Sequence, residues 1–158
     1  MVLEAETARF VSHKAALVVG AVGTDGRPFA ARGWGLTILD ADKGHARLLL
    51  DLRDLDRLAH LASGGGIAIT GTDVPSLRSC QMKGHVEGFE VADADDYAHS
   101  ARYCDGFFGD VETTDRLPAW KMERLRPDEL AACRLKVECA FDQTPGPVAG
   151  RPLDEAHS

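Results

Sequence analysis

Apolar residues alternate with small or polar ones along much of this chain, at the period of two that marks half-buried strands. The clearest stretch is 134–142, where Leu135, Val137, Cys139 and Phe141 alternate with Arg134, Lys136, Glu138 and Ala140. Residues 17–39 read as two apolar strands joined at Thr24-Asp25-Gly26-Arg27-Pro28. Asp-Gly suits a turn whose central residues take positive φ, so the pattern predicts a hairpin. A third strand at 46–50 follows the turn-rich segment 40–44. Residues 67–70 form a short buried strand and 76–89 a long one, with Arg78, Cys80, Met82, Gly84, Val86 and Gly88 on one face and Ser79, Gln81, Lys83, His85 and Glu87 on the other.

Helical spacing is rarer. Residues 4–13 form a short amphipathic helix with Ala8, Phe10 and Val11 on its apolar side. Leu52, Leu55, Leu58 and Ala62 fall on one helical face, which Ser63-Gly64-Gly65-Gly66 ends. Asp93 caps a helix running to about Cys104, with Asp96 three residues on to complete the cap. The segment 105–110, DGFFGD, reads as an aromatic loop. From about 143 the prolines and glycines of QTPGPVAGRP exclude regular structure. The chain shows no internal repeat and no second domain, so 1–158 is expected to be one domain with an irregular C-terminal tail. Strands outnumber helices and short turns join several of them. The predicted class is mainly β, an antiparallel barrel with flanking helices. Strict strand–helix alternation is missing and no G-x-G-x-x-G follows a strand, which argues against a dinucleotide-binding sheet.

Composition narrows the partners. A chain of 158 residues can bury a real core. Its net charge of −7 argues against nucleic acid, because duplex binding draws on neutralised phosphates. A small phosphorylated ligand needs only a few arginines gathered locally. Cys80, Cys104, Cys133 and Cys139 lack C-x-x-C or zinc-type spacing and are expected to be buried free thiols. No signal-like N-terminus and no membrane-length apolar run are seen, so a cytoplasmic protein with no membrane partner is expected.

Four features carry candidate chemistry. In simple alternation Phe29, Ala31, Gly33, Gly35, Thr37 and Leu39 share one face, while Ala30, Arg32, Trp34, Leu36 and Ile38 share the other. Gly33 and Gly35 leave their face bare, for the close approach of a ligand or for a bulge or bend of the barrel. Arg53, Arg57 and His60 lie along one helix face, where an anion would relieve their repulsion; Asp54 and Asp56 can instead make this a solvated, self-paired face. Gln81 and Lys83 offer a ring-edge partner and a positive charge, or are the wet side of an ordinary strand. Trp34, Phe107, Phe108 and Trp120 can stack on a planar ligand or serve as core or interface. There is no nucleophile–base–orienter triad and no metal-ligand spacing.

The hairpin VGAVGTDGRPFAARGWG, the basic helix through Leu58, the strand GIAIT and the strand RSCQMKGHVEG together resemble the pyridoxamine 5′-phosphate oxidase-like, FMN-binding split-barrel family. The resemblance runs from about Ala16 to Gly88, with a weaker echo to Phe141. It implies a split β-barrel homodimer with FMN at the subunit interface, acting on a small-molecule substrate or electron donor. Carried over by position, Arg57 holds the FMN phosphate with Arg53 as a second contact. The strand through Arg32, Gly33, Trp34 and Gly35 runs along the flavin, and Gln81 and Lys83 approach it from the long strand. The chain departs from the family pattern in three places. Leu55 stands where a hydroxyl residue is common, Gly64-Gly65 replaces an Asn-Pro-like helix end, and the closing tryptophan and Arg-x-His of the vitamin B6 oxidases are missing. The resemblance therefore implies an oxidoreductase of another substrate. Flavin or haem storage or sensing, and deazaflavin-dependent reduction, are the alternatives.

Overall fold

The structure, a computed structural model, describes residues 4–22, 25–58, 61 and 64–153. Six antiparallel strands close into one barrel: β1 (Ala16–Val22), β2 (Pro28–Asp40), β3 (His45–Asp51), β4 (Gly66–Thr72), β5 (Ser79–Val91) and β6 (Leu130–Asp142). Around the barrel they run β1-β2-β3-β6-β5-β4, with β4 returning to β1. The expected split-barrel class is therefore the observed one. Alternation explains closure. Leu17, Val19, Leu48, Leu50, Ile67, Ile69, Met82 and Leu135 are at most 4 % exposed, and in β1 and β4 the residues between the buried ones are more exposed. A closed barrel buries these residues without leaving an unpaired strand edge.

Helix α1 (Ala5–His13) packs against β2. After β3 a 3-10 turn (Leu52–Asp54) leads into the single-turn helix α2 (Leu55–Leu58). Helix α3 (Ala94–Asp115) lies against β2, and α4 (Ala119–Met122) packs on α3. The cap of α3 follows the expected box: Asp93 accepts from the Asp96 amide and Asp96 from the Asp93 amide.

The Asp96 carboxylate also forms a two-pronged pair with Arg47, at 2.6 and 2.8 Å. Asp96 is only 10 % exposed, and the guanidinium beside it holds its carboxyl below the ordinary 3.8. A carboxyl lowered in the folded state stabilises above the unfolded value and loses that contribution as pH falls through the folded one. Asp96→Asn is expected to cost about 3 kcal/mol in urea unfolding at pH 7. The difference from the parent chain should shrink as the pH is taken below 3.8.

Several expected boundaries are corrected. The 105–110 segment is not a loop but the middle of α3. Tyr103, Cys104, Phe107, Phe108 and Val111 continue a buried stripe that outweighs about 1 kcal/mol for each helical glycine. Gly106 has a reason to be there, since a Cβ would stand 3.1 Å from the Lys14 side chain. The helix expected across Leu52, Leu55, Leu58 and Ala62 is broken at its start, because Asp51 caps a 3-10 turn there; Ala62 and Ser63 lie outside the described residues. Strand β5 starts at Ser79 because Asp73 ties down a turn through the Ser76 amide and hydroxyl. Strand β6 starts at Leu130, four residues before the alternation became legible. The tail is irregular, as expected, yet docked: the Asp142 amide donates to the Arg151 carbonyl and the Leu153 amide to that of Ala140. Among the described residues no helix is long and apolar enough to cross a membrane.

Candidate functional site

The register sets out one continuous outer face. One cross-strand row reads Arg32, Val18, Thr70, Gln81 and Phe141, from β2 to β6. The next reads Ala30, Gly20, Ala68, Lys83 and Cys139. Along the second row lies a groove of about 440 Å³, lined by Gly20, Val22, Gly66, Ala68, Lys83 and Glu138 among others. Its floor is low because Gly20 and the two alanines carry almost no side chain, and a Cβ at Gly20 would meet nothing within 4 Å. Val18 and Val22 on the same face are 49 and 58 % exposed.

Polar side chains gather around this face. The Gln81 amide nitrogen donates to Thr70 Oγ1 at 3.1 Å, which fixes the side chain across the sheet. The Lys83 ammonium stands 5.0 Å from the centre of the Phe141 ring. The Arg32 guanidinium lies 5.2 Å from the Phe107 ring, and its Nη1 is buried with no acceptor among the described residues. A buried donor without a partner is costly, and a native structure usually supplies the acceptor from somewhere. Arg57 sits on the Phe29 ring at 5.6 Å, and among the described residues no carboxylate is within ion-pair reach of it. Arg53 differs. Its Nε and Nη2 grip Asp51 at 2.6–3.0 Å, and that pairing holds the Asp51 carboxyl below its usual range. His60 lies outside the described residues.

The two glycines of β2 do not form a bare face. Gly33 pairs with Leu50 and Leu36 with Leu48, so β2 carries an extra residue here and the alternation slips. A Cβ on Gly33 would stand 2.8 Å from Leu17 Cβ and 3.1 Å from Leu48, inside the core. On Gly35, whose φ is +147°, it would meet the His99 ring of α3 at 2.8 Å. The bulge is the alternative that the structure shows, and the expected open floor beside Gly33 and Gly35 is filled by the chain's own side chains. Trp34 is 4 % exposed and belongs to the core, as do Phe107 and Phe108. Trp120, at 69 %, stands in solvent.

The structure thus brings Arg32, Gln81 and Lys83 onto one outer face, while Arg57 stands on Phe29, which belongs to the strand of Arg32 but alternates with Ala30 to the core side. It takes Gly33, Trp34 and Gly35 away from that face. Sequence reading missed Gly20, Ala68 and Glu138. A lone glycine between Val19 and Ala21 was the available signal for the first; nothing in the alternation marked the other two. None of the four cysteines is joined in a disulfide; Cys80, Cys104 and Cys133 are buried as expected, whereas Cys139 is half-buried. Burial pushes Cys80 up to about 11 and Cys133 up to about 12, so neither offers a thiolate at neutral pH. No cluster of His, Cys, Asp and Glu able to hold a metal ion occurs among the described residues.

No protein-family model matches the chain, and no curated protein matches its sequence. Solved structures do match its fold. HupZ of Group A Streptococcus is 18 % identical, with 92 % of this chain and 97 % of that one covered at a TM-score of 0.54. An F420 reductase is 15 % identical over 84 % and 93 % of the two chains, TM-score 0.54. A candidate pyridoxamine 5′-phosphate oxidase of Lactobacillus delbrueckii is 20 % identical over 89 % and 93 %, TM-score 0.52. With its closed six-stranded antiparallel barrel, this chain has the split-barrel fold of the pyridoxamine 5′-phosphate oxidase-like proteins.

Proposed function

We propose that the outer face of β1, β4 and β5 holds a phosphate-bearing flavin, FMN, and that the protein is an oxidoreductase of a small molecule other than pyridoxamine phosphate. The observation that carries this reading is Arg32, whose Nη1 is buried without an acceptor in the same cross-strand row as Gln81. A flavin ring edge is rich in acceptors, and the donor set fits it. Arg57, which has no carboxylate partner among the described residues, suits the phosphate; Gln81, Lys83 and Arg32 suit the polar edge of the ring. Bound flavin would supply the two-electron redox chemistry, and the protein would supply binding, orientation and electrostatics. A second copy of the chain covering this face would bury Val18 and Val22 and enclose the ligand, which supports a homodimer. The F420 reductase among the fold neighbours makes a deazaflavin the second reading.

Adding FMN to the purified protein should quench flavin fluorescence saturably, while F420 and haem should bind more weakly. Arg57→Ala should weaken FMN at least tenfold, the value of one charge-assisted hydrogen bond. A parent chain that leaves FMN fluorescence untouched refutes the reading, and an unchanged affinity in the variant removes Arg57 from the site.

A further inference from the structure

A second groove lies where β5 ends and β6 begins. It holds about 400 Å³, the size of a small-molecule pocket, and shares no lining residue with the first. Local hydrogen bonds build it. The Leu52 amide donates to the Glu129 carbonyl at 3.0 Å, which ties the 3-10 turn after β3 to the start of β6. The Tyr97 hydroxyl accepts from the Leu130 amide at 3.1 Å, which brings the first turn of α3 to the same place.

Two properties of the lining point the same way. The first is charge. Glu90 and Glu129 line the groove, and no lysine, arginine or histidine does. Glu90 is matched by Arg47 and Arg134, whereas Glu129 has no cation within ion-pair reach among the described residues. Arg53, a few residues along the turn, is closed on Asp51, with Asp54 and Asp128 also near enough to stabilise its charge. The second is a pair of rings. Phe89 and Tyr97 have no cation of this chain over them, although rings such as Phe29 and Phe141 do. An aromatic face attracts a positive charge, and a carboxylate beside it adds to that attraction. Val91, at 91 %, and Leu52 leave apolar surface uncovered at the same groove.

We propose that this groove binds a small organic cation, an amine or alkylammonium with an apolar body, at a site separate from the flavin face. The apolar body lies against Leu55, Phe89 and Val91, and the ammonium is held by the Tyr97 ring and Glu129. An anion is disfavoured here, because no positive side chain lines the groove.

The test titrates three probes of one size, phenethylammonium, phenethyl alcohol and phenylacetate, into the isotope-labelled full chain at neutral pH through the millimolar range, following amide nitrogen–proton shifts. The ammonium should shift the Phe89, Val91 and Tyr97 amides saturably and leave those of Gly20, Ala68 and Lys83 in place. It should bind roughly three- to fivefold more tightly than the alcohol, the gain of one partly solvated ion pair. Phenylacetate should bind more weakly than the alcohol. Glu129→Gln should remove most of the ammonium's advantage and leave the alcohol unchanged. Val91→Lys, at a solvated position, brings a cation to the groove and should make phenylacetate the tighter ligand. Equal affinities of the three probes for the parent, an unaltered preference in either variant, or no shift through the millimolar range overturns the proposal. Each of these results leaves the flavin reading standing.

Discussion

Gly84→Ala is expected to destabilise the protein by about 3 kcal/mol or more, because the added carbon would lie 1.8 Å from the Lys136 carbonyl oxygen. That contact is with backbone, so no side-chain rotation relieves it; the β5–β6 pairing or the Glu138 bulge must shift. For a domain of this length the melting temperature should fall by roughly 6–12 °C. The same substitution at Gly20 gives the contrast. Nothing lies within 4 Å of that Cβ, and an alanine there reduces the freedom of the unfolded chain. Gly20→Ala should therefore melt at or slightly above the parent temperature while raising the groove floor and weakening FMN. Thermal melts of the two variants side by side check the first half of this expectation. Equal, small effects at both positions would mean that Gly84 does not sit over the β6 backbone.

Arg32→Met should separate ligand binding from stability. In the free protein the guanidinium contributes a stacking contact with Phe107, of about 0.5–1 kcal/mol. It also keeps a buried Nη1 without an acceptor, a cost that the thioether removes. The two terms oppose one another, so urea midpoints of parent and variant should nearly coincide. FMN affinity should fall ten- to a hundredfold, since the lost hydrogen bond involves a charged donor. A variant that binds FMN like the parent would show that Arg32 serves α3 packing alone.

The residues that made the barrel legible are those with one face against the core. In β1 and β4 alternation follows directly from inside and outside, and the strands lie where the pattern puts them; in β6 the expected faces hold only through Val137, because the extra residue Glu138 turns Cys139 and Phe141 outward and Ala140 into the core. Parity along β5 put Gln81 and Lys83 on one face, whereas Arg32 was set beside them only by the family resemblance. What alternation could not show was any slip in pairing. The bulges at Gly33–Leu36 and at Glu138 depend on the partner strand, so Gly33 and Gly35 look bare in sequence and are covered in the fold. Helix α3 shows the opposite failure. Gly106 and Gly109 look like breaks in the chain, yet the buried stripe through Tyr103, Phe107 and Val111 carries the helix past both. Arg53 and Arg57 seemed equivalent by spacing, and only the cap at Asp51 separates them.

FMN is expected to occupy one place, the face built on Gly20, Ala68, Thr70, Gln81 and Lys83. An amide nitrogen–proton correlation spectrum of the labelled protein, recorded during FMN titration, reads that place residue by residue. A second groove, of about 400 Å³ and lined by Leu52, Leu55, Phe89, Val91 and Tyr97, serves as the internal comparison. The amides of Gly20, Ala68, Thr70, Gln81 and Lys83 should shift together and saturate, while those of Phe89, Val91 and Tyr97 stay in place. Shifts confined to the second groove, or none at saturating FMN, would contradict the account.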